Sequence, residues 1–411
     1  MIFLSCASDD SLQDDEFVTL AHHYVERYLE LNPESATSLG DHRYDGKLDD
    51  YSTAGAAERL SFNREALAEL ESINPDRLSE ANAIDYAILR NRIEGAIFRI
   101  DVLKEQEWNP LVYNVGGAIY SLIERDFAPL EQRMMNVKLR LEQVPQVAAM
   151  AKANVKNPPR VHTETAMLQN KGTISLIRDQ IGQLVDSIPE LADELRSAQE
   201  KAIAALEYYG SWLEKDLLPV SNGEFRLGEE KFRQKLRYVL DSELTMEDIL
   251  RRAEKDLVDT QDDMFGTALA LHRQYFPAED IDESAVKKET IKRILDTLSA
   301  KRPTNESIVD LARVTLTSCL EFTTEKNLVS VPDEPLELIV MPEFQRGVAV
   351  AYCDAPGPLE PDAKTFYAIS PTPTDWSEDR TESFFREYNN FMLHDLTIHE
   401  AVPGHYLQLA H

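Results

Sequence analysis

The sequence has few cysteines and few glycines, and it has no long apolar run. Cys6, Cys319 and Cys353 are the only cysteines among 411 residues, and they are too few and too scattered for a disulfide framework. No apolar run reaches the roughly 18 residues that a membrane-spanning helix needs. A phosphate-binding loop, a Gly-rich dinucleotide turn and a Gly-x-Ser-x-Gly elbow are also absent, which excludes nucleotide-binding enzymes and serine hydrolases.

Positive charge is scarce as well. The chain has 43 Lys and Arg residues against 73 Asp and Glu residues, so its formal net charge is −30. Such an acidic chain repels nucleic acid and anionic membrane surfaces. We therefore expect neither as a partner. The oligomeric state is not indicated.

Only 15 glycines occur, and long stretches are rich in good helix formers. No internal repeat interrupts the pattern. Apolar residues at helical spacing, bounded by Pro- or Asp-containing breaks, predict nine helices. They cover residues 16–31, 54–73, 80–104, 129–153, 163–188, 189–217, 245–275, 284–298 and 306–326.

The pattern changes after Val329. Short, β-branched apolar runs at residues 336–341, 347–352 and 365–369 predict strands. The predicted fold class is mostly α (α+β), with long helices and a small antiparallel sheet preceding a helix that carries a His-Glu pair. We divide the chain into a flexible N-terminus at 1–15, a helical domain at 16–328 and the start of a catalytic subdomain at 329–411.

The segment from His399 to His411 contains the most informative motif. Imidazoles bind zinc, and a carboxylate beside them accepts a proton from the water that the metal activates. His399, Glu400 and His405 provide these groups. The two histidines are six positions apart rather than four, and six residues of regular helix rotate a side chain by about 240°.

Pro403 and Gly404 lie between the two histidines and permit two interpretations. A Pro-Gly pair can form a bulge that returns His405 to the side of His399. Alternatively, the pair ends one helix and His405 begins another element without any metal. Upstream, Phe385, Tyr388, Met392 and Leu396 are at helical spacing with His399, which predicts that His399 continues a buried face and favours the metal interpretation.

Several segments resemble the bacterial domain-of-unknown-function-885 family, whose His-Glu-x-x-Pro-Gly-His-x-x-Gln motif is specific. The resemblance extends from about residue 16 to the C-terminus. The segments that carry it are residues 32–45, 108–129, 366–371, 376–377, 386–389 and 399–408.

That family is grouped with gluzincin-type zinc metallopeptidases. The resemblance implies Zn²⁺ as cofactor, His399 and His405 as metal ligands, and Glu400 as general base. It also implies a third ligand, a Glu in a Glu-Gly-Trp-Ala-like context beyond the motif. The chain ends six residues after His405, so we expect it to be the N-terminal portion of a longer protein.

The predicted function is a zinc-dependent, peptidase-like hydrolase acting on peptides, with Tyr367 and Arg346 as candidate substrate-binding residues on the strand side. An edge strand beside the catalytic helix can bind extended peptide by strand addition. Two alternatives stay open: a non-catalytic, exported helical binding or scaffold protein, and an inactive fragment that lacks the third metal ligand.

The N-terminus bears on localisation. Residues 3–8, around Cys6, resemble the cleavage box of a bacterial lipoprotein, although only five residues precede Cys6 and no basic start is present. The resemblance predicts a lipid anchor at Cys6 and a periplasmic or membrane-anchored protein. A cytoplasmic protein is the alternative.

Overall fold

The computed structural model describes residues 11–281, 286–334, 336–341, 349–360 and 363–411. Cys6 and Arg346 lie outside the described residues, as do residues 1–10 of the predicted flexible N-terminus. The chain forms two compact units, Met1–Leu244 and Thr245–His411. The boundary predicted at 328/329 therefore falls inside the second unit.

The first unit is helical throughout its described part. Its α-helices are α1 Ser11–Leu31, α2 Pro33–Ser38, α3 Thr53–Leu70, α4 Glu80–Ile97, α5 Glu105–Trp108, α6 Gly116–Glu124, α7 Leu130–Asn154, α8 Arg160–Ser175, α9 Gly182–Val185, α10 Ala192–Trp212 and α11 Glu229–Leu240. Short 3₁₀ turns lie at His42–Tyr44, Pro75–Arg77, Pro110–Tyr113 and Leu218–Val220. π-helical turns lie at Phe98–Leu103, Leu176–Ile181 and Leu213–Leu217.

Local sequence explains where several helices begin. Ser52 and Ser79 accept hydrogen bonds from the amides of Gly55 and Asn82, which satisfies donors that the first turns of α3 and α4 leave unpaired. The π turn after α4 continues the same helical rod, which agrees with the single helix predicted for residues 80–104. Helices α6 and α11 were not predicted from the sequence.

The second unit combines helices with a small sheet. Its helices are α12 Met246–Tyr275, α13 Lys287–Leu298, α14 Ile308–Glu325, α15 Glu378–Glu387, α16 Asn390–Glu400 and α17 His405–Ala410, and its strands are β1 Leu336–Val340, β2 Ala351–Asp354 and β3 Thr365–Ile369. A buried cluster joins α14, the sheet and α15–α17, and includes Ala312, Ile369, Phe385 and Leu393. Helix α14, which was assigned to the helical domain from the sequence, packs on these strands.

The sheet is mixed rather than antiparallel. The strand order is β1-β3-β2, in which β3 pairs in parallel with β1 and antiparallel with β2. The prediction of a mostly helical α+β fold is confirmed, but the predicted antiparallel pairing holds for β2 and β3 alone. An apolar run predicts a strand without fixing its direction, because the same side chains are buried in either orientation.

The predicted buried stripe leading to His399 is also wrong. Helix α15 ends at Glu387, and Asn389 begins α16 by accepting hydrogen bonds from the amides of Phe391 and Met392. The break resets the helical phase, so Met392 and His399 are exposed. Leu393 and Thr397 form the buried side of α16 instead.

None of the helices among the described residues is long and apolar enough to cross a membrane.

Candidate metal centre

Helix α16 presents His399 and Glu400 at its C-terminal end. The opposite side of α16 anchors the helix in the core, because Leu393 and Thr397 are completely buried. The Thr397 hydroxyl donates to the Leu393 carbonyl at 2.8 Å, so its remaining hydrogen-bonding capacity is as an acceptor. His399 itself is exposed and Glu400 is half-buried. A ligand can therefore reach both side chains.

A tight turn follows α16 and brings the chain back on itself. Ala401 and Val402 are fully buried and anchor the turn in the apolar cluster. The Val402–Pro403 peptide bond is cis. Gly404 lies so close to α16 that an added Cβ would be 1.9 Å from the carbonyl oxygen of His399. Glycine is required here because no side chain fits against that backbone.

Helix α17 then begins directly at His405. Its neighbour Tyr406 is buried and donates a 2.6 Å hydrogen bond to the carbonyl of Glu334. Leu407 is also buried. These contacts fix the first turn of α17 and thus the position of His405, which is half-buried.

The turn places the two imidazoles side by side. The ring centroids of His399 and His405 are 4.7 Å apart, with the ring planes at 88°. One ligand atom each from His399, Glu400 and His405 lie within 4.8 Å of one another, and these residues are the one such group among the described His, Cys, Asp and Glu residues. His405 returns to His399 as the bulge interpretation requires, and it also begins a new helix, as the second interpretation requires.

The donor set fits zinc. Two imidazole nitrogens are common zinc ligands in hydrolytic sites, where a neighbouring carboxylate acts as general base. Neither imidazole forms a hydrogen bond within the part of the chain that the structure describes, so the ring nitrogens of His399 and His405 are available to a metal. The Glu400 carboxylate, next to them, is available for binding or for proton transfer.

Strand β2 holds Glu400 in place. The backbone N–H of Cys353 donates to Oε2 of Glu400 at 3.1 Å. In the described sheet, β2 is an edge strand beside α16. The carboxylate is thus oriented by a backbone group, which no side-chain pattern predicts. The strand predicted at 347–352 overlaps β2, but the sequence did not indicate the contact between the Cys353 amide and Glu400.

Tyr367 lies beneath the site rather than in it. Its side chain is fully buried, and its hydroxyl lies 3.0 Å from the Thr397 hydroxyl. Because the Thr397 proton is used by the Leu393 carbonyl, Tyr367 is the donor. Burial, and secondarily the charge of Glu400, raise the pKa of Tyr367 to about 12. The sequence analysis made Tyr367 a substrate contact, whereas the structure gives it a supporting position under α16.

Comparison with known proteins identifies the family. Residues 33–411 match the model of the family described as "Bacterial protein of unknown function (DUF885)", and the chain belongs to it. A solved protein from Shewanella oneidensis, described as a "putative lipoprotein of unknown function", is 30% identical to it. Its TM-score is 0.74, and the match covers 96% of this chain and 71% of that chain.

A second solved protein, described as "the putative lipoprotein from Colwellia psychrerythraea", shares the fold. It has a TM-score of 0.66 at 15% identity, over 97% of this chain and 72% of that chain. A comparison with curated proteins gave no match.

Proposed function

We propose that this member of the family is a zinc-dependent hydrolase that cleaves peptide bonds. The observation that carries the proposal is the convergence of His399, Glu400 and His405, with ligand atoms within 4.8 Å of one another. Two imidazoles with an adjacent carboxylate are the side chains that metallopeptidases use. The gluzincin resemblance stated from the sequence supports the same assignment.

His399 and His405 would hold the metal, because their ring nitrogens have no other partner among the described residues. Bound zinc supplies Lewis acidity, which polarises a carbonyl and makes water more acidic. Glu400 accepts the proton of the attacking water and later passes it to the leaving amine. The Cys353 N–H keeps the Glu400 carboxylate facing the site during both transfers.

The substrate side of the site is formed by β2. A strand edge can bind an extended peptide through backbone hydrogen bonds, which accept a wide range of side chains. Because the amide of Cys353 is bonded to Glu400, the register of the bound peptide is linked to the position of the general base. We propose a peptide substrate on this basis.

Two substitutions separate metal binding from chemistry. We expect Glu400→Gln to retain zinc and to lower kcat on a fluorogenic peptide mixture by about 10²–10⁴-fold, the usual contribution of a general base. His399→Ala should lose zinc and activity together. His394→Ala is the matched control on the same helix, since that exposed side chain lies outside the ligand group.

The sample should be the protein as the cell produces it, because the family resemblance implies a further glutamate ligand. Full activity of the Glu400→Gln variant, or unchanged zinc in the His399→Ala variant, would contradict the mechanism. Zinc bound without hydrolysis of any peptide by the unaltered protein would favour the non-catalytic binding protein.

We also propose that the protein is exported and anchored by lipid at Cys6. The support is the lipoprotein description of the Shewanella oneidensis protein, which is 30% identical, together with the lipoprotein-like residues around Cys6. Labelling of cells with an alkyne palmitate analogue should mark the natural protein and a Cys353→Ser control. It should not mark Cys6→Ser, and equal labelling of that variant would overturn the assignment.

A further inference from the structure

The first unit contains a cavity of about 630 Å³ that the proposed hydrolase does not use. It lies among α1, α2, α3 and α4, and the residues that line it fall between positions 24 and 114. Three arginines and three tyrosines distinguish its wall: Arg59, Arg92, Arg99, Tyr24, Tyr28 and Tyr51. We call it the arginine cavity.

The arginines of this cavity lie near carboxylates without forming ion pairs within the described ranges: burial raises the pKa of Asp49, and the charge of Arg59 opposes that rise. Among the described residues, Arg59, Arg92 and Arg99 form no salt bridge. Several other arginines of the same unit are paired, as Arg27 is with Glu58 and Arg43 with Asp41. The chain has a large excess of acidic residues, with a net charge of −30. A shortage of carboxylates therefore does not explain why these three arginines form no salt bridge in the described structure.

The helices hold these cations in position around an open space. Arg92 and Arg99 are seven positions apart, which places them on the same face of α4 and its π-helical continuation. The Arg92 guanidinium lies over the ring of Tyr28, 4.6 Å from its centroid. Ala96 lies between the two arginines and also lines the cavity. Its small side chain leaves the space between them open.

The carboxylates in the wall are engaged in structure. Glu34 accepts hydrogen bonds from the amide of Asp49 at 3.1 Å and from the hydroxyl of Tyr51 at 2.8 Å. Asp49 accepts in return from the amide of Glu34 at 3.2 Å. Burial, and secondarily the charge of Asp49, raise the pKa of Glu34 to about 7. This pair closes one side of the cavity, and Arg92 and Arg99 present exposed guanidinium groups on another. Glu105 also lines it, without a salt bridge to any of them.

We propose that the arginine cavity binds a small anion through a carboxylate or phosphate group. Guanidinium groups donate two parallel hydrogen bonds to either group, and they bind both with charge assistance. Arg92 of α4 and Arg99 of the following π-helical turn bind the anionic group, and Arg59 of α3 binds it as well. The tyrosine rings provide a flat, partly apolar wall for the rest of an organic ligand. The site is independent of the proposed zinc chemistry.

The test is calorimetric titration of the full chain with inorganic phosphate and, separately, with succinate, at constant ionic strength maintained with chloride. We expect saturable binding of at least one anion. Arg92→Gln and Arg99→Gln should each weaken it about tenfold or more, as expected for the loss of a charge-assisted hydrogen bond. Arg237→Gln is the matched control, because Arg237 is exposed, lies outside the cavity and also forms no salt bridge with any residue that the structure describes.

A second variant tests the cavity itself. Ala96→Leu keeps all three arginines but fills the space between Arg92 and Arg99, so it should block binding while circular dichroism remains helical. Binding of phosphate alone identifies a phosphate ester as ligand class, and binding of succinate alone identifies an organic acid. Absence of binding by both anions, or equal weakening by Arg237→Gln, would overturn the proposal.

Discussion

Two polar groupings of this protein differ in how their side chains are used. In the first unit, Arg140 is fully buried and donates to the Lys47 carbonyl at 3.0 Å, to the Ala118 carbonyl and to the Thr37 hydroxyl. In the second unit, the His399 imidazole is exposed and forms no hydrogen bond among the described residues. Buried groups with engaged donors hold a fold together, whereas accessible groups with unengaged ligand atoms are available for chemistry.

The contrast extends to the carboxylates. Glu34 is held by a backbone amide and a tyrosine hydroxyl in a partly buried position, and its pKa is raised to about 7. Glu400 accepts one backbone hydrogen bond and remains half-buried. A residue that exchanges protons with water needs that access. We therefore expect substitutions around Arg140 and Glu34 to act on stability, and those around Glu400 to act on metal binding and turnover.

The largest effect is expected at Arg140. Arg140→Met removes a buried cation and leaves three carbonyls and a hydroxyl without its hydrogen bonds, which should cost about 4 kcal/mol of unfolding free energy. Urea unfolding measures it. Arg64→Met, which removes an exposed pair with Asp101, should cost far less. Equal losses of stability in the two variants would show that the buried Arg140 contributes no more than the exposed Arg64.

Gly404 tests the tight turn of the second unit. An alanine Cβ at this position would meet the carbonyl oxygen of His399 at 1.9 Å, so Gly404→Ala should destabilise α16 and α17 by about 3 kcal/mol and abolish zinc binding. Hydrogen exchange of these helices and zinc analysis report the two effects.

The matched control for the turn is Gly266→Ala. Gly266 lies within α12 of the same unit, and an added Cβ has no atom within 4 Å. In a helix interior the change should stabilise by about 0.5–1 kcal/mol. If Gly404→Ala were equally well tolerated, the close approach would not be what positions His405.

The raised pKa of Glu34 predicts a pH dependence of folding stability. Its pKa rises from 4.5 to about 7 in the folded chain, chiefly through burial and then through the charge of Asp49. Its stabilising contribution is therefore fully present below about pH 4.5 and is lost as the pH rises through about 7. Glu34→Gln should remove this loss, on the order of 1–3 kcal/mol. Urea unfolding of both proteins at pH 4.5 and pH 8 measures the difference. An identical pH profile in the two proteins would show that Glu34 is ionised in the fold.

Tyr367 should give the smallest effect. Tyr367→Phe removes the hydrogen bond to Thr397 and keeps the ring, so it should cost about 1 kcal/mol of stability with little change in KM for peptides. Thermal unfolding and steady-state kinetics measure the two quantities. A large change in KM at unchanged stability would restore the role in substrate binding that the sequence analysis assigned to Tyr367.

Much of the fold was predictable because it depends on local pattern. Helices α3, α7, α12 and α14 begin and end within a few residues of the predicted positions, since apolar spacing, capping residues and breaks are written in the sequence. The proximity of His399 and His405 was predicted as one of two interpretations. The sequence did not predict which face of α16 is buried. A new helix begins after Asn389, so the helical spacing of α15 does not continue into α16.

The sequence by itself determined the helical class, the acidic surface and the identity of the clustered side chains, because these depend on composition and short-range spacing. The tertiary structure decided that the sheet is mixed, that Tyr367 lies beneath α16, and that the Cys353 amide orients Glu400. It also brought Arg59 of α3 to the same cavity as Arg92 and Arg99. Contacts of this kind depend on how separate elements pack, and no local pattern records them.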